Sequence, residues 1–168
     1  MEFKNNINNR QFILGPKFVN SLENWQKINI ANNYFLTAHP SLDVNSVKHD
    51  NFSLTMLGFV LDYENPKDNN IEILFKLIKK IKIKDVIFDL TKKFCGRYIF
   101  IFSDYKGAWI FNDTTGLRQI VYTMGTIKES WVSSQADLIA DLLELEQEKK
   151  YLKEFFYTPN IIKNLAQW

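Results

Sequence analysis

Short apolar runs alternate with clusters of Gly, Asp, Asn and Ser between Phe94 and Leu145, and this rhythm predicts four strands followed by a helix. Gly96 opens a strand over Arg97–Phe102, and Tyr105-Lys106-Gly107 turns it. Ala108–Phe111 returns, Asp113-Thr114-Thr115-Gly116 turns again, and Gln119–Thr123 follows. Met124–Ile127 makes one more turn before a strand over Ser130–Ser133. Ser134, with Asp137 three residues on, has the form of a capping box, and the helix it starts carries Leu138, Ile139, Leu142 and Leu143 on one face. In Tyr98-Ile99-Phe100-Ile101-Phe102 both faces of the strand are apolar. A sheet with one face in water would alternate, so this strand is expected to be covered by another sheet on one side and by helices on the other.

Upstream, residues 1–10 read as a polar, Asn-rich lead-in. Gln11–Leu14, Trp25–Ile30, Tyr34–Ala38 and Phe52–Leu61 read as strands, with Ala31-Asn32-Asn33 as a hairpin turn. His39–Asp50 is polar and reads as a loop, as does Asp62–Asn70. Ile71, Leu74, Phe75, Ile78 and Ile81 recur at helical spacing, and Val86, Leu90 and Phe94 form a second helical pattern. Taken alone, these elements support an α+β fold with buried central strands.

At 168 residues the chain is most simply one domain, and 46% hydrophobic with 24% charged residues fits an ordinary globular protein. A net charge of +2 gives no argument for nucleic acid. The Lys79–Lys84 run is expected to be the solvated end of a helix. One cysteine, Cys95, excludes an intramolecular disulfide. No apolar run approaches the roughly 18 residues of a membrane span, and the cytoplasm is the expected location. His39 and His49 fall short of a metal site, which needs three or four ligands, so neither a metal nor another cofactor is expected.

Three segments in order carry more information: Phe94-Cys95-Gly96-Arg97-Tyr98, then Asp113-Thr114-Thr115-Gly116-Leu117-Arg118 with Val121-Tyr122, then Trp131-Val132-Ser133-Ser134. This set resembles the glutaminase-like domain at the N-terminus of asparagine synthetases, a class II glutamine amidotransferase domain of the N-terminal-nucleophile type. The resemblance implies a four-layer α-β-β-α sandwich over residues 11–146, with a helical segment at 147–168. In that family Gly96, Asp113, Gly116, Arg118, Ser133 and Ser134 would be structural positions. From the residues themselves, Gly116 suits a turn needing positive φ, and Arg118 suits a surface pair with Asp113.

Glutaminases of this type need an N-terminal Cys whose own α-amine is the base. This sequence begins Met1-Glu2-Phe3, and Cys95, mid-chain between Phe94 and Gly96, is expected to be a packed structural thiol. The resemblance places the family's oxyanion-hole Asn-Gly on Leu57-Gly58, its carboxylate-binding Arg on Ser41, and its Ser-Asp pair on Asn69-Asn70. Leu57 has no polar hydrogen for an oxyanion, Ser41 no cation and Asn70 no charge, so no catalytic residue is assigned. The expected role is therefore that of a catalytically degenerate domain. It would pack on or regulate a synthetase-type amide-forming domain in the same chain or on a partner, with self-association also open. The Phe-rich stretch near Tyr151–Phe156 would be its docking surface, and the final Trp168 is expected to mark an interrupted protein. One alternative is a remodelled site for a small amino acid or amide, lined by Thr37–Val44 and Gly58–Asn70. The other is an unrelated α+β interaction module.

Overall fold

The computed structural model describes residues 9–31, 33–81, 91–124 and 129–145. Among the described residues nine strands form two antiparallel sheets. The first contains β1 (Phe12–Gly15), β2 (Gln26–Ala31), β3 (Tyr34–Ala38), β8 (Val121–Tyr122) and β9 (Val132–Ser133), in the order β2-β3-β1-β9-β8. The second contains β4 (Val44–His49), β5 (Phe52–Asp62), β6 (Phe94–Asp104) and β7 (Gly107–Asn112), in that order. Helix α1 spans Asn70–Ile78 and helix α2 spans Ala136–Leu142.

The four-layer α-β-β-α sandwich, the N-terminal-nucleophile hydrolase architecture, is not what this chain forms. Strands hold 43% of the described residues and the two helices only 13%. Among the described residues one helix of nine residues packs on the second sheet and one of seven on the first, too little to build helical layers there. The physical reason lies in the helical patterns themselves. Phe94, read as the end of a second helix, begins β6 instead, and Val86 and Leu90 lie outside the described residues. The pattern from Ser134 yields only two turns.

The doubly apolar strand is buried as its composition requires. Tyr98, Phe100 and Phe102 join Leu54, Met56 and the α1 residues Ile73, Leu74, Leu77 and Ile78 in one core cluster. Ile99 and Ile101 point the other way, into a second cluster with Leu57, Phe12, Leu14 and Leu36 between the sheets. Each fully buried side chain of this size stabilises by about 1.5–3 kcal/mol, so this strand anchors both cores. A third cluster joins Ile13, Val19, Leu22 and Trp131 to Ile139 of α2.

Several local expectations change. His39–Asp50 is not all loop, because Val44–His49 pairs with Leu57–Phe52 as an edge strand. Its weak alternation hid it, and only pairing with the strongly apolar β5 makes it a strand. Helix α1 buries Ile73, Leu74, Leu77 and Ile78, while Ile71 and Phe75 stay exposed. The capping box forms at Asn69 and Glu72, where the Asn69 side chain accepts from Glu72 N (3.0 Å) and the Glu72 carboxylate accepts from Asn69 N (2.8 Å). At the second helix no capping box forms. Gln135 is the N-cap and makes no side-chain cap bond. Lys79 and Lys80 are exposed just past α1, as the solvated helix end requires. The 147–168 segment, with its predicted docking aromatics, lies outside the described residues. Among the described residues no helix is long and apolar enough to cross a membrane.

Candidate functional site

The loop between β7 and β8 is organised by one buried carboxylate. Asp113 accepts hydrogen bonds from Thr115 N (3.1 Å), Thr115 Oγ1 (2.6 Å), Leu117 N (3.1 Å) and Arg118 N (3.2 Å). Burial pushes this carboxyl up, but the bonds from Thr115, Leu117 and Arg118 outweigh it and hold the pKa below the ordinary value. Gly116 closes the turn at φ 67, with its N–H donating to Asp113 O at 2.9 Å. The turn is therefore the one its sequence predicts. The expected Asp113–Arg118 side-chain pair is not formed, because Asp113 holds Arg118 by its backbone and leaves the guanidinium free to reach elsewhere.

That guanidinium is anchored by backbone. Arg118 Nε donates to Arg97 O (3.2 Å) and Nη1 to Arg10 O (3.2 Å), tying the lead-in, β6 and the loop together. Space for it comes from Gly58 at φ 106: a Cβ there would lie 2.3 Å from Arg97 O and 2.9 Å from Arg118 Nε. Gly96, at φ 138, has an equally tight neighbour in Phe59 O at 2.5 Å. Both glycines are thus set by close backbone approach between β5 and β6.

Arg10, Arg97 and Arg118 line one open pocket of about 480 Å³ at the rim of the two sheets. Among the described residues none of the three guanidinium groups is ion-paired. Burial, then the charges of Arg97 and Arg10, hold Arg118 below the usual arginine pKa, against the weaker pull of Asp113 and Asp43. Of the five N–H donors on Arg118, two are committed to carbonyls and the rest have no acceptor among the described residues. Arg10 itself adopts φ 66, a left-handed conformation that costs a residue with a side chain about 1–2 kcal/mol. The remaining wall offers the amides of Asn9, Gln11, Gln119 and Gln135 and one aromatic face, Phe59. Ser134, also in the wall, has its Oγ engaged by Phe12 N (3.0 Å) and Phe12 O (3.3 Å). The described lining thus offers hydrogen-bond donors and positive charge without an imidazole, thiol or carboxylate.

The sequence-predicted residues fare unevenly. Gly58 sits beside the pocket, with its N–H on Asp43 O (2.8 Å) and its carbonyl accepting from Asn70 Nδ2 (3.4 Å). Asn70 also accepts from Val60 N (3.2 Å), and Asn69 caps α1, so both asparagines serve the backbone. Leu57 is buried between the sheets. Ser41 is in an exposed turn, held by the His39 ring at 2.7 Å. None of these five residues lines the arginine pocket, and of the expected Thr37–Val44 and Gly58–Asn70 lining only Phe59 reaches it, beside the segments around residues 10, 97, 118 and 134. Ser133 supports the turn into α2 through Gln135. Cys95 is exposed rather than packed, its Sγ 3.8 Å from Leu61 O, because its face of β6 runs past the first sheet. Among the described residues no group of His, Cys, Asp and Glu could hold a metal ion.

All three segments of the amidotransferase resemblance contribute to this pocket, through Arg97, through Gly116–Arg118 and through Ser134. Sequence reasoning missed Arg10 and Arg97, which carry no local signal. The close approach at Gly58 brings Arg97 to Arg118, and the Arg118 Nη1 bond to Arg10 O brings Arg10. No protein-family model matches this chain, and no curated protein matches it.

Proposed function

We propose that this chain is a binding domain whose arginine-lined pocket takes a small anionic ligand. The observation that carries this is the convergence of three guanidinium groups from separate segments without an ion-pair partner among the described residues. Unpaired cations of the same sign are brought together at a cost, which an anion would reverse by charge-assisted hydrogen bonding. An oxyanion of about five heavy atoms bound at about 1 kcal/mol per atom has a Kd near 0.2 mM. Calorimetric titration of the protein with phosphate, sulfate and acetate tests the reading. Heat of binding is expected for at least one of them, weakened by raised salt and about ten-fold or more by Arg97→Gln, whose guanidinium makes no intramolecular hydrogen bond among those described. Titrations without heat at up to 10 mM ligand would end it.

A second reading comes from the convergence of the three resemblance segments on this pocket. In it the chain is a non-catalytic relative of the amidotransferase domains that packs on or regulates a synthetase-type amide-forming domain, in the same chain or on a partner. Co-purification with such a protein, lost on changing pocket residues, is its expected outcome. Independent behaviour of the two would end it. A cytoplasmic setting belongs to both readings and rests on the single cysteine.

A further inference from the structure

The inner face of the second sheet does not stop where the first sheet stops. Along β5, Leu57, Phe59 and Leu61 point to one face, and their partners across the strand pair are Ile99, Arg97 and Cys95. Leu57 and Ile99 are fully covered by the first sheet, with no exposure at all. Phe59 is 46% exposed and Leu61 49%, so the same face continues uncovered past the rim. Phe59 is a wall of the arginine pocket, so an apolar strip begins at the site of positive charge and runs away from it. One strand repeat, about 7 Å, separates Phe59 from Leu61.

Resting on the anion-binding reading above, we propose that the ligand is an amphiphilic carboxylate. Its carboxylate is held by Arg118, Arg97 and Arg10, and its apolar tail lies along Phe59 and Leu61. An inorganic anion would use the charged end alone and leave the strip bare. Charge at one end and apolar surface at the other match a carboxylate with a short acyl or aryl tail, and a tail that spans the 7 Å repeat covers both side chains. Because the strip lies in the open and not in a closed channel, the tail loses part of its contact with water rather than all of it.

The test is a chain-length series on the whole protein. Acetate, butyrate and hexanoate are titrated by calorimetry or by ligand-observed NMR beside inorganic phosphate. Each added methylene is expected to tighten binding roughly two- to four-fold, the upper value being that of complete burial. Phe59→Ser and Leu61→Ser, both at exposed positions, are each expected to flatten that gain, whereas Arg97→Gln weakens every member of the series alike. Hexanoate binding no tighter than acetate, or phosphate binding while the carboxylates do not, would overturn the amphiphile and leave anion binding standing. A chain-length gain that survives both serine variants would overturn the placement of the tail. Absence of binding by all four ligands would overturn both proposals.

Discussion

Replacing Asp113 by alanine should cost about 2–3 kcal/mol of folding stability. The carboxylate is 4% exposed and accepts four hydrogen bonds from Thr115, Leu117 and Arg118. Bonds to a charged acceptor are worth about 1.5–3 kcal/mol each, but they do not sum here. Thr115 and Leu117 are exposed residues, and their freed N–H groups can turn to water. What remains is the Arg118 N–H, on a half-buried residue, and the lost closure of the turn, which together give the lower figure. With a urea m-value of about 2 kcal/mol/M, the unfolding midpoint should fall by about 1–1.5 M. Asp113→Asn keeps the shape but places an amide NH2 against backbone donors, and should cost about half as much. The acid limb supplies an independent reading. The folded pKa of Asp113 lies below its unfolded value of about 3.9, so its contribution is present above that value and is lost as pH falls through the folded pKa. Asp113→Asn should flatten that part of the stability profile below about pH 4. Urea unfolding monitored by circular dichroism between pH 2.5 and 7 measures both effects. A cost below about 0.5 kcal/mol with an unchanged acid limb would refute the claim that this carboxylate organises the loop.

Gly58→Ala should destabilise by about 2–4 kcal/mol and weaken anion binding, because its Cβ meets Arg97 O at 2.3 Å and displaces Arg118 at a φ of 106. Thermal unfolding and ligand titration of the variant check this, and a wild-type melting temperature would contradict it. Burial first, then the charges of Asp113 and Cys95, push the Tyr98 phenol up to about 12. Stability from its neutral form is complete below the unfolded pKa of about 10 and is lost as pH rises toward the folded value. An ultraviolet pH titration should therefore show one tyrosine ionising late, and Tyr98→Phe should remove that step. A titration in which every tyrosine ionises near pH 10 would contradict the burial argument.

The sequence by itself determined the strands around Tyr98–Phe102, the turn at Asp113–Gly116 and the covering of β6 on both faces, because these follow from local composition and period. It also determined that α1 forms, although not which of its residues turn inward: Ile73 and Leu77 rather than Ile71 and Phe75. Tertiary structure alone decided the rest. The edge strand Val44–His49 exists only through its pairing with β5, and among the described residues Phe94 belongs to β6 and the Ser134 pattern stops after two turns. The Asn69-Asn70 pair reads as polar chemistry in sequence, but backbone claims it first: Asn70 satisfies the half-buried Val60 N–H, which would cost more left unsatisfied, and Asn69 caps the exposed first turn of α1. The candidate site is the plainest case. Arg10, Arg97 and Arg118 are far apart in the chain and carry no shared motif. They meet because Gly58 and Gly96 let β5, β6 and the Arg118 loop approach closely and because Arg118 reaches the Arg10 carbonyl, contacts between segments that no local pattern encodes.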